Sequence, residues 1–173
     1  MPPFREHFEG LWLGGTYLLR QCLEESGPTA YFLAGEGENG RAIVRLDRAG
    51  DAAAARSAVW ERLAAIPHPN VIRVLGVGEV EAGGIRAAWA ALEYPEENVG
   101  DVLRTRALTA EEAAAALTGV ADALAHLHAH GLVLGELTPW SVVAAGDVVK
   151  VPADGAREAG ASTPDGDVRA LGL

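Results

Sequence analysis

The chain is short of several things, and each shortage removes a class of function. Of its 14 cationic residues only Lys150 is a lysine, so chemistry that needs two lysines is excluded. A single cysteine, Cys22, rules out an internal disulfide framework and any zinc site built from several thiolates. No run approaches the roughly 18 apolar residues of a membrane-spanning helix. Residues 1–10, with Arg5, Glu6, His7 and Glu9, do not read as a signal peptide. Positive charge is scarce: Lys+Arg 14 against Asp+Glu 24 gives a formal net charge of -10. Such a surface repels phosphate backbones, so no nucleic-acid partner and no direct membrane contact are expected. The expected location is the cytoplasm.

The residues that are present suit a globular protein. The 173 residues are 49% hydrophobic and 22% charged, enough to bury a sizeable core. Residues 11–23, 29–34 and 41–46 read as strands separated by turn residues. Asp51 caps a helix expected over 52–66, with Ala55, Val59, Leu63 and Ile66 as its buried stripe and Pro67 and Pro69 as its stop. Strands over 71–80 and 85–93 flank the turn Ala82-Gly83-Gly84. A short helix over 101–106 leads to Thr109-Ala110-Glu111-Glu112, a capping box. The helix it starts should reach about His130, with Leu117, Val120, Leu124 and Leu127 on one face and Gly131 as its C-cap. Short β-runs come next, at 132–134 and 147–151. Composition changes from β-rich to helical between Tyr94 and Gly100, so two parts are expected, 1–94 and 95–173.

Two motifs carry little chemistry. Gly35-Glu36-Gly37-Glu38-Asn39-Gly40 spells a dinucleotide fingerprint, but a strand comes after it rather than a helix, and Glu36 and Glu38 would repel phosphate. It reads as a glycine-rich hairpin loop. His126 and His130 share a helix face at metal-ligand spacing, yet no third ligand is apparent, so they read as a solvated pair at a helix end. Glu24-Glu25, Glu96-Glu97 and Glu111-Glu112 read as solvated faces or turns.

From Tyr17 to Leu173 an ordered set of motifs resembles a protein kinase domain of the bacterial serine/threonine type. The motifs are His68-Pro69-Asn70-Val71, then Leu92-Glu93-Tyr94 at the hinge position. Ala123-Leu124-Ala125-His126-Leu127-His128-Ala129-His130-Gly131-Leu132-Val133 comes next, and Asp167-Val168-Arg169-Ala170-Leu171-Gly172 closes the series. The resemblance implies an α+β, protein-kinase-like fold: an antiparallel five-stranded N-lobe with one helix, and a partial helical C-lobe. It also implies roles by position. The catalytic aspartate falls on Glu136, the catalytic-loop lysine on Thr138 and the metal-binding asparagine on Ser141. Ala153 stands where the second metal ligand belongs, with Asp154 one residue away. The phosphate-loop glycines fall on Glu24, Ser26 and Thr29. Arg45 takes the third-strand lysine position, and Val59 that of its glutamate partner. Ile43, Tyr31 and Glu93 line the nucleotide-cleft positions.

A glutamate for an aspartate moves a carboxylate by one methylene, and errors near 1 Å cost about 100-fold in rate. An arginine does not reproduce a compact ammonium. A buried Arg45 without its glutamate needs another partner, and Glu93, Asp154 or solvent are the expected ones. No activation segment fits between Gly155 and Asp167, and the motif series stops where a central large-lobe helix should begin, which suggests a fragment or a reduced lobe. Three readings are open. The first is a pseudokinase acting as a regulatory or scaffolding module, with a protein partner, possible self-association through the incomplete C-lobe, and no cofactor. The second is a diverged active kinase using ATP and magnesium, with Glu136 as base, Arg45 on the phosphates and Asp154 on the metal. The third is an unrelated α+β binding domain.

Overall fold

The computed structural model describes residues 3–35, 40–135, 137–160 and 164–170. The chain divides into two compact units, one of Met1–Ala65 with Arg73–Tyr94 and the other of Ile66–Ile72 with Pro95–Leu173.

In the first unit, alternating side chains build one six-stranded antiparallel sheet. Its strands are β1 (Trp12–Leu13), β2 (Tyr17–Ser26), β3 (Thr29–Ala34), β4 (Ala42–Arg48), β5 (Val74–Ala82) and β6 (Ile85–Glu93), in the spatial order β1-β2-β3-β4-β6-β5. Strand β4 shows what the period of two achieves. Ala42, Val44 and Leu46 enter a core with Phe4, Phe8, Leu19, Phe32 and Trp89, whereas Ile43, Arg45 and Asp47 belong to the opposite face. The core side is closed by a five-residue helix, α1 (Phe4–Phe8), whose two phenylalanines are completely buried. The β5–β6 hairpin turns through Gly83 and Gly84, both at positive φ, as a tight two-residue connection requires. Helix α2 (Asp51–Ala65) lies against β5 and β6. Its buried residues are Ala53, Val59, Trp60 and Leu63. The expected stripe therefore shifts: Ala55 is exposed and Ile66 lies past the helix end.

The second unit is built on α4 (Ala110–Ala129), which comes after β7 (Glu97–Asn98) and α3 (Val99–Thr105). The capping box forms, with Glu112 N–H donating to Thr109 Oγ1 at 3.1 Å and Thr109 N–H donating to Glu112 Oε2 at 2.8 Å. Gly119, Val120, Ala123, Leu124 and Leu127 make the buried face of α4, while Leu117 is 53% exposed. After α4 come β8 (Leu132–Val133), a 3-10 turn at Pro139–Ser141, β9 (Val143–Ala145), β10 (Val148–Lys150), β11 (Arg157–Glu158) and α5 (Pro164–Ala170). They form a three-stranded sheet, β10-β9-β7, and a two-stranded one, β11-β8.

This architecture corrects the expectation of a protein-kinase-like α+β fold. Among the described residues the first unit holds six strands and two helices, not five strands and one helix. The second unit is not a helical lobe, because after α4 its described residues form short antiparallel strand pairs and one seven-residue helix rather than a run of long helices. The physical reason is local. Val143-Ala144-Ala145 and Val148-Val149-Lys150 are β-favouring runs joined by a two-residue Gly146-Asp147 turn, so they close on each other as a hairpin.

Candidate functional site

Arg45 is the most heavily engaged of the predicted positions. It lies mid-strand in β4, opposite Tyr31 of β3 and Ala90 of β6, on the face that Trp60 of α2 covers. Its Nε donates to Asp47 Oδ1 at 3.0 Å, and its Nη2 donates to Asp47 Oδ2 at 3.2 Å. Its Nη1 donates to the Tyr31 hydroxyl at 3.0 Å. The guanidinium plane stands over the rings of Tyr31 and Trp60, 5.5 and 5.8 Å from their centroids. Asp47 also accepts from the Thr29 hydroxyl at 2.8 Å, and Arg56 Nε comes within 2.8 Å of its Oδ2. Two buried charges matched in this two-pronged way satisfy the burial requirement that a lone arginine could not meet. The partner of Arg45 is thus Asp47, in place of the expected Glu93, Asp154 or solvent. Residues i and i+2 of a strand share a face, which is the signal in the sequence that identifies this pair.

The other first-unit positions fall into place around it. Ile43 is half-buried in β4, between Leu33 and Leu92 in register. Ser26 ends β2, exposed, paired with Thr29 across the turn. Glu93 ends β6, where its Oε2 accepts from Arg73 N–H at 3.2 Å. Glu25, read from sequence as a solvated carboxylate, instead accepts from Phe4 N–H at 2.9 Å and so anchors the first turn of α1.

In the second unit, Ser141 sits in the 3-10 turn with its Oγ 3.3 Å from Thr138 Oγ1. Asp154 is buried, as is Lys150, and each of the two has a partner. Glu136 lies outside the described residues, as do positions 36–39 of the glycine-rich loop. A further buried anion of this unit is Asp167, which the sequence marks only as a motif landmark. Its fully buried carboxylate accepts from His128 Nε2 at 2.8 Å, Leu134 N–H at 3.0 Å and Gly135 N–H at 2.6 Å. Burial pushes its pKa up, but those three hydrogen bonds outweigh burial and hold it below the ordinary aspartate value. A cavity of about 280 Å³, lined by Val99, Leu117, Val120, Leu137, Pro139 and Val142 among others, opens beside α4. Among the described residues, no group of three or more His, Cys, Asp or Glu could hold a metal ion. No helix among them is long and apolar enough to cross a membrane.

No protein-family model matches the chain. Among curated proteins it is similar to the serine/threonine-protein kinase PknG of Mycobacterium leprae (strain TN), 29% identical over 152 residues. The match covers 80% of this chain and 20% of that protein, so the chain spans about a fifth of the length of the relative. A distant relationship in sequence to a serine/threonine kinase is what this match supports.

Proposed function

We propose that this chain is a kinase-related module that has lost phosphoryl transfer and acts by binding protein, as a pseudokinase with a regulatory or scaffolding role. One observation carries the reading: every guanidinium nitrogen of Arg45 is already held inside the protein, two by Asp47 and one by Tyr31. A phosphate could reach this cation only by displacing the buried Asp47 carboxylate and the Tyr31 hydroxyl from it. The surrounding positions agree with that. Glu24, Ser26 and Thr29 put side chains where the phosphate loop requires glycine, and Glu25 is occupied at the start of α1. Val59, at the regulatory glutamate's position, is buried among apolar residues. Phosphoryl transfer consists almost entirely of positioning and charge neutralisation, so little catalysis survives the loss of these parts.

The test is a thermal melt of the full chain with ATP, first alone and then with magnesium or manganese. The expected result is an unchanged midpoint in every condition. A ligand specific to the folded state contributes about 2.7 kcal/mol at 100 times its dissociation constant, so binding would be plain. A metal-dependent rise, followed by γ-phosphate transfer to a protein substrate, would overturn the proposal and return Glu136, Ser141 and Asp154 to catalytic and metal-binding roles.

A further inference from the structure

Three imidazoles in the second unit form a stack that the function above does not use. His68 comes from the Ile66–Ile72 segment, His126 from the last turn of α4 and His130 from the C-cap of that helix. The rings of His68 and His126 stack at 4.5 Å between centroids and 25° between planes, and His126 and His130 pair at 4.6 Å and 49°. Their partners say where the protons sit. His126 Nε2 donates to the Ile66 carbonyl at 2.9 Å, and His130 Nδ1 donates to the His126 carbonyl at 2.8 Å. His68 is the reverse case, because its Nδ1 accepts the Asn70 backbone N–H at 3.2 Å. That nitrogen must therefore keep its lone pair, and the ring must be neutral.

The same short segment is tied down throughout. Asn70 Nδ2 donates to the Val149 carbonyl at 2.8 Å, Val71 N–H to the His68 carbonyl at 3.1 Å and Ile72 N–H to the Val151 carbonyl at 3.0 Å. The His68 end of this segment is thus the end whose bonds depend on a titratable group.

We propose that His68 is a proton-operated latch: when its ring takes up a proton at Nδ1, residues 66–70 come away from α4. A proton at Nδ1 removes the acceptor that Asn70 uses and sets two N–H donors against each other. It also places a positive charge face to face with the His126 ring. The titratable groups on α4 that bear on His68 are His126 and Asp122, and β10 meets the segment through the neutral Val149 carbonyl. Partial burial, then His126, lower the pKa of His68 below its ordinary 6.5, and Asp122 opposes them without cancelling them. The unfolded chain therefore binds a proton that the folded chain refuses. This contribution to stability is complete above about pH 6.5 and is lost as the pH falls from there toward the folded value. The latch does not depend on any relationship to kinases.

The test is a pH titration of the full chain by NMR, following the imidazole nitrogens together with amide exchange at Asn70 and Val71. The expected result is His68 with its proton on Nε2, titrating below 6.5. Exchange protection of the two amides, corrected for intrinsic rates, should fall by up to about tenfold per pH unit through that titration. In the variant His68→Asn, whose Oδ1 can take the Asn70 N–H but not a proton, protection should stay level. A His68 that titrates at or above 6.5, protection that stays level in the unmutated chain, or an unchanged pH dependence in His68→Asn would each overturn the latch.

Discussion

The carboxylate of Asp167 accepts the backbone N–H of Gly135 at 2.6 Å, linking two residues 32 positions apart, and it takes the neighbouring Leu134 N–H and His128 Nε2 as well. Gly135 has φ +84, and a Cβ there would run into the Arg157 guanidinium. A backbone in that conformation, with two N–H groups aimed at one buried anion, depends on the anion being present.

Asp167→Ala should therefore cost about 3 kcal/mol, since each buried donor left unsatisfied costs roughly 1–3 kcal/mol. The pH dependence comes from the lowered pKa of Asp167. Its stabilisation is present above the ordinary aspartate value of 3.8 and is lost as pH falls through the lower folded value. Urea unfolding between pH 7 and pH 2 checks both points. The loss in Asp167→Ala should be full at pH 7 and shrink below about pH 4.

The Arg45–Asp47 pair makes a second prediction. Asp47→Ala leaves Arg45 buried and Arg56 beside it without their anion, and breaking a buried pair from one side costs about 3–5 kcal/mol. Replacing both members with apolar residues, as in Arg45→Met with Asp47→Leu, should recover much of that loss. Chemical denaturation of the two variants separates them, and equal losses in both would show that the pair contributes more than mutual neutralisation.

Gly78 lies directly opposite Trp89 across β5 and β6, and a Cβ at Gly78 would stand 2.9 Å from three atoms of the indole. Trp89 has little room to move, since it also meets Tyr17 edge-on at 5.9 Å. Gly78→Ala should destabilise by about 1–3 kcal/mol through overpacking. It should also change the near-ultraviolet circular dichroism of the first unit's aromatic core.

Glu112 offers a test with a clear spectroscopic readout. The Arg106 guanidinium, through hydrogen bonds of 2.7 Å to each carboxylate oxygen, lowers the pKa of Glu112 from 4.5 to about 2, with help from the Thr109 N–H. Its contribution to the helix start is present above pH 4.5 and disappears as pH falls toward 2. Carboxyl NMR should find Glu112 ionised at about pH 3 in the unmutated chain, and Arg106→Ala should raise its pKa more than Thr109→Ala does.

Elements whose cause is local were legible from sequence. The strands at 29–34 and 85–93, the α2 helix starting at Asp51 and the capping box at Thr109 and Glu112 all arise from propensities and partners within a few residues. The misreadings have equally specific causes. Helix α1 was hidden in a charged stretch, because only Phe4 and Phe8 of its five residues reveal an apolar face. The short pairings β7–β9 and β8–β11 join runs of two or three residues, too brief to show a period of two. The expectation of a kinase-like fold rests on motif order, and motif order does not register how many strands a segment adds.

Sequence alone determined the charge balance, the scarcity of lysine and thiol, and the helix and hairpin signals, because these depend on composition or on neighbours along the chain. Tertiary structure decided the partners. Asp47 rather than Glu93 or Asp154 neutralises Arg45 because both residues share a strand face that Trp60 buries. His126 stacks on His68 and bonds the Ile66 carbonyl rather than standing as a solvated helix-end group, and Asp167 gathers His128, Leu134 and Gly135. Each outcome turns on which groups are removed from water together, and burial is a property of the folded chain rather than of any window of its sequence.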